Sequence, residues 1–147
     1  MFRRIFVSTD GSTRSNHAIR SAAALARTCD ASLTIFHVIP AYQIPYYVEG
    51  MAFAWPSETQ YLKGTDQEAA RLLKKARALA AKQGVAATTT QLHGEDISVA
   101  IVAAAGKARA DLIVMASHGR KGLDKLLLGS ETQKVLAHSK TPVLIVR

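Results

Sequence analysis

The run Asp111-Leu112-Ile113-Val114-Met115-Ala116-Ser117 constrains the chain more than any other segment. Its centre is apolar at every position, so neither face of a strand made from it can meet water. A strand covered on both faces belongs inside a parallel sheet lying between helices. Similar runs occupy residues 4–9, around Ile5-Phe6-Val7, and residues 32–39, where β-branched and aromatic residues dominate and Pro40 is expected to end the strand. Residues 85–93 and 142–147, the last from Pro142 to Arg147, complete a set of five.

Helical periodicity fills the gaps. Ala18, Ala22, Leu25, Ala26 and Cys29 recur at steps of three and four, predicting a helix that ends near residue 29. Ala69, Leu72, Leu73, Ala76, Leu79 and Ala80 stripe a helix over 66–83, with Gly84 as its stop. Ile97, Ala100, Ile101 and Ala104 share one side of a helix over 96–108, with Glu95 and Asp96 serving its start. Ser130 opens a fourth helix, and Gln133 three places on completes a capping-box pattern. Five strands alternating with four helices predict one α/β domain. Its fold class is a doubly wound, five-stranded parallel sheet with helices on both faces, Rossmann-like.

Composition agrees and removes several function classes. A chain of 147 residues suits one core, and 48% hydrophobic residues exclude a disordered chain. The apolar runs are too short to span a bilayer, and no signal-like segment follows Met1, so a cytoplasmic protein is expected. Cys29 is the only cysteine, so no internal disulfide forms, which suits a reducing compartment. The net charge of +8 is scattered, apart from Arg120, Lys121 and Lys125 in one glycine-containing loop. It forms no stripe and accompanies no recognition motif, which argues against nucleic acid as a partner.

Doubly wound sheets bind ligands beyond the carboxyl ends of their strands, where the strand order reverses. The loops after the first and fourth strands are therefore the places to search. The first carries Asp10-Gly11-Ser12. The second runs ASHGRKGLDKLLLGS from Ala116 to Ser130. Its glycines let backbone N–H groups approach an anion, and a helix start after Gly129 supplies free N–H groups and the positive end of a dipole. Ser130 and Thr132 add hydroxyls, and Arg120 adds charge. Turn chemistry alone also accounts for these residues. Asp10 suits a turn or helix start as well as a ribose contact, and His118 suits a plain loop position as well as an approach to phosphate. No GxSxG elbow, Walker glycine loop, paired carboxylates or metal-spaced histidines are present, so no catalytic residue and no metal ligand is assigned.

The second segment resembles the nucleotide motif of the universal stress protein family: glycine, two residues, glycine, nine residues, then glycine with serine or threonine. Gly119, Gly129 and Ser130 match, while Ala116 stands where the first glycine belongs. Val7-Ser8-Thr9-Asp10-Gly11-Ser12, Phe36-His37-Val38-Ile39, 110–115 and 141–146 resemble the family's strands, so the likeness covers nearly the whole chain. The resemblance implies an adenine nucleotide alpha hydrolase-like fold that holds ATP or another adenine nucleotide, with Mg as an accompanying ion. It implies that Asp10 meets the ribose or adenine region and that the backbone of Val38 meets the adenine, although Val38 also reads as ordinary strand core. Gly119, Gly129, Ser130 and Thr132 fall at phosphate-contacting positions, near Ala116, His118 and Arg120. It implies a stress-response binding module that forms a homodimer through the last strand, Pro142 to Arg147, and acts on a protein partner. Two other readings stay open, an interaction module with an empty site and a slow ATPase.

Residues 41–63 show no period and hold six of the nine aromatics: Tyr42, Tyr46, Tyr47, Phe53, Trp55 and Tyr61. Three destinations are open for such a segment at the carboxyl end of the sheet: a lid over the ligand, packing against a dimer partner, or a cluster on its own sheet. Its few charges, Glu49, Glu58 and Lys63, favour the lid.

Overall fold

Alternation within the strands fixes the layers. In β1 (Arg4–Ser8), Ile5 and Val7 are buried on one side and Phe6 on the other. β2 (Ser32–Pro40) sends Leu33 and Ile35 to the first side and Phe36 and Val38 to the second, and β4 (Leu112–Ala116) divides Leu112 and Val114 from Ile113 and Met115 in the same way. The computed structural model describes residues 1–43, 56–118 and 128–147. Within them, α1 (Thr13–Cys29) and α2 (Glu58–Ala81) cover the first side. α3 (Ile97–Lys107) and α4 (Ser130–His138) cover the second, where Phe6 and Phe36 meet at a ring separation of 5.3 Å. Each such buried aromatic contributes about 1.5–3 kcal/mol of burial free energy.

With β3 (Ala87–Gly94) and β5 (Val143–Val146), the sheet runs β3-β2-β1-β4-β5, every pair parallel. The predicted doubly wound sheet is thus observed. The order reverses between β1 and β4, which are neighbours with Val7 level with Val114. Their loops are the two that carry the sequence motifs.

Two helix starts differ from expectation. α2 begins at Glu58, eight residues before the expected start at 66, because Ser57 and Gln60 form a reciprocal capping box and Glu58 sits in the first turn. Residues 58–63 are therefore helix rather than loop. Pro40 ends β2 as expected, as its last residue, and stands level with Gly94. At α4 the expected capping box is absent. Gly129 is the N-cap, Ser130 is the first helical residue, and Gln133 instead donates from Nε2 to the Leu128 carbonyl at 2.7 Å. Tyr46, Tyr47, Phe53 and Trp55 lie outside the described residues. Tyr42 and Tyr61 pack ring to ring at 5.2 Å, and their hydroxyls donate to the carbonyls of Pro56 and Pro40.

At the amino ends of the same two strands, Asp111 holds β1 against β4. Its carboxylate accepts from the N–H groups of Arg3 and Arg4, each at 2.9 Å. Desolvation pushes this carboxyl up, but the two N–H groups and the Arg4 charge outweigh it and leave its pKa below the usual value. A folded-state pKa that is lowered contributes stability above the unfolded value, about 3.9, and that stability is lost as pH falls through the folded value. Asp111→Ala should therefore lower the urea midpoint at pH 7, and the gap from the parent should narrow below about pH 4. A gap that stays constant across that range would show that the charge of the clamp contributes nothing.

Candidate functional site at the strand reversal

The crevice is built from strand ends. Ser8 is level with Phe36, and the Thr9 N–H donates to the Phe36 carbonyl at 2.8 Å before the chain turns away at Asp10. On the other side Val7 is level with Val114, so the loops that carry Asp10 and Ser117 leave the same end of two neighbouring strands. The chain leaves β1 through a tight turn in which Asp10 Oδ1 accepts the Ser12 N–H at 2.9 Å and Gly11 takes a φ of 78°, a conformation that favours glycine. Ser12 then caps α1 by accepting from the Ser15 N–H. Asp10 thus has the turn role, and that role sets its half-buried carboxylate at the crevice.

Gly129 makes the other wall. Its N–H donates to the Ser117 carbonyl at 2.8 Å, drawing the start of α4 onto the end of β4. Its φ of −60° is open to any residue, so dihedral freedom does not explain the glycine. Contact does: a Cβ there would lie 3.3 Å from both the Ser117 oxygen and the His118 Cα. Thr132, buried one turn into α4, donates its hydroxyl to the Ala116 carbonyl at 3.1 Å. That proton is held by the wall, so Thr132 shapes the site from behind. α1, α2 and α3 each have a side chain accepting at the N-cap, whereas α4 has none. Glu131 lies in the first turn of α4, but its carboxylate accepts from the Ser98 N–H at 3.0 Å and from Lys134 at 3.2 Å. Among the described residues no group accepts from the N–H groups of Ser130, Glu131 and Thr132, which leaves the electrostatics of an anion site.

Asp10, Val38, Ala116, His118, Gly129 and Thr132 therefore gather at one end of the sheet, with Ser130 exposed beside them. His118 is buried, its Nδ1 3.2 Å from the Ser117 hydroxyl, so it is not a plain exposed loop residue. Gly119 and Arg120 lie outside the described residues, as do Lys121 and Lys125. Sequence reading missed Thr9 and His37. The buried Thr9 hydroxyl bonds Ser15 at 3.0 Å and accepts the Gly11 N–H, and His37 Nδ1 donates to the Thr9 carbonyl at 2.8 Å. Their one sequence signal was position, at the ends of the first two strands. Among the described residues, no group of three or more His, Cys, Asp or Glu side chains is placed to hold a metal.

The sequence profile of the universal stress protein family matches residues 1–147. The chain belongs to the universal stress protein family. Universal stress protein MJ0531 of Methanocaldococcus jannaschii is 35% identical, with all of this chain and 83% of that protein aligned. Universal stress protein YxiE of Bacillus subtilis is 34% identical over the full length of both. Among solved structures, a universal stress protein in complex with cAMP superposes with a TM-score of 0.70 at 26% identity, covering 99% of this chain and 97% of that one. That relative has an adenine nucleotide as its ligand.

The Gly129 contact yields a test of sign. At a dihedral that alanine accepts, Gly→Ala ordinarily stabilises by about 0.4–1 kcal/mol through the unfolded chain. Here overpacking against backbone should prevail at about 1–3 kcal/mol, so Gly129→Ala should lower stability in urea denaturation. A more stable variant would show that the approach of α4 to β4 is not tight.

Proposed function

We propose that this chain is an adenine-nucleotide-binding module of the stress response, taking ATP or a close relative at the crevice between β1 and β4. The observation that carries the reading is the uncapped amino end of α4, pinned to β4 by Gly129 and facing Asp10 across the strand reversal. In this reading phosphate meets the N–H groups of Ser130 and Glu131 in the first turn of α4, beside the clamped Gly129, with Gly119 and Arg120 on the loop before them. The Asp10 carboxylate accepts from ribose hydroxyls, and the strand end at Val38 borders the adenine. Ala116 and His118 line the floor. Mg would be held mainly by the phosphates. The cAMP-bound relative supports the ligand class.

Output on this reading is a change of partnership rather than fast catalysis, in the cytoplasm, by a homodimer that pairs through β5. That strand lies at a margin of the sheet, and Leu144 on it is 40% exposed. Among the described residues no helix is long and apolar enough to cross a membrane.

Mass spectrometry of small molecules released from freshly purified protein should find an adenine nucleotide. Adding Mg-ATP at one hundred times its dissociation constant should stabilise the fold by about 2.7 kcal/mol. Ala116→Gly, which removes a Cβ from the floor, should bind as tightly or more tightly, and Gly129→Val should lose binding. Absence of both co-purified nucleotide and thermal shift at millimolar ATP would refute the site. If Ala116→Gly alone gained binding, the natural protein would be an interaction module whose site is empty.

A further inference from the structure

Among the described residues, no strand pairs with the margin of the sheet opposite β5. Gly94 turns its carbonyl toward β2, where the Ala41 N–H donates to it at 3.2 Å. By alternation along a parallel strand, Thr89, Gln91 and His93 turn their N–H and C=O groups outward. Among the described residues, no backbone group bonds along this side of β3. Soluble proteins commonly guard such margins with lysine, proline or a bulge. The segment Ala87–Gly94 carries no charged residue and no proline, and its register with β2 is unbroken over eight pairs.

A groove follows each face of this strand. On the α2 side a groove of about 660 Å³ is lined by Leu73, Lys74, Arg77 and Ala81. On the α3 side a groove of about 310 Å³ is lined by Phe36, Leu92, Ala104 and Lys107. Each thus has an apolar floor and a basic rim. No ion pair involves Lys74, Arg77 or Lys107 among the described residues. A strand added beside β3 would send alternate side chains into the two grooves.

We propose that the outer side of β3 is a docking site for an extended, acidic segment of a partner protein, which joins the sheet as a sixth strand. Charge selects this occupant. The last three turns of α2 hold Arg71, Lys74, Lys75 and Arg77 with no acidic residue, and Lys82 follows. Two copies of the chain paired β3 to β3 would bring these cations together, and like charges across a strand pair are destabilising. An acidic strand neutralises them while its backbone completes the ladder.

The test uses the full chain and labelled peptides of about ten residues, the length of a long strand. One alternates glutamate and valine, a second alternates lysine and valine, and a third is the first with N-methyl groups on alternate amides. Fluorescence anisotropy should detect the glutamate peptide alone. Amide shifts on binding should centre on Thr89, Gln91 and His93. Lys74→Glu with Arg77→Glu, both exposed, should weaken binding about tenfold or more and leave the circular dichroism unchanged. Equal binding of the lysine or N-methylated peptide would overturn the proposal, as would amide shifts away from β3. Two further results would also overturn it: a self-association that the β3 amides report, or a single-stranded oligonucleotide that outcompetes the glutamate peptide for that strand.

Discussion

Between the Gly129 nitrogen and the Ser117 oxygen there are 2.8 Å, and a Cβ at Gly129 would crowd both that oxygen and the His118 Cα. Everything at the crevice follows from this approach. It draws α4 to the end of β4 and leaves the helix without a side-chain cap. Because β4 adjoins β1, it sets the start of α4 at the same end of the sheet as the loop that carries Asp10. Thr132 holds the same wall from behind through its bond to Ala116. A site of this kind is backbone chemistry, in which side chains mainly decide how close the backbone can come.

The sheet makes that arrangement stable. Parallel strands buried on both sides fix their register through two cores, one under α1 and α2 and one under α3 and α4. Asp111 ties β1 to β4 at their amino ends, opposite the crevice. The β3 margin lies across the sheet from β5. Nucleotide, partner segment and second copy would therefore occupy three separate places on one sheet.

The fold was legible because β4 is apolar throughout and the intervening helices have regular stripes. The reversal between β1 and β4 was legible as a place to search, since its two loops carry Asp10 and Gly129. Helix starts were harder. The capping box at Ser57 precedes a polar first turn without apolar period, so α2 was placed too late. The same pattern at Ser130 misled, because the close approach at Gly129 takes the N-cap position and turns Gln133 to the Leu128 carbonyl. Thr9 and His37 act through bonds between strand ends that are 28 residues apart, a pairing that no local pattern encodes. Gly119 and Arg120, which the motif singles out, lie outside the described residues.

The central claim is that α4 and β1 together present one nucleotide site. Amide nitrogen–proton spectra of the isotopically labelled protein, titrated with AMP, test it most directly, because the claim concerns backbone N–H groups. The account predicts the largest shifts at Gly11, His118, Gly129 and Ser130, with Thr89 and Gln91 on the outer side of β3 unmoved. Saturable binding that leaves the Gly129 and Ser130 amides in place, or that shifts only residues outside this crevice, would contradict it.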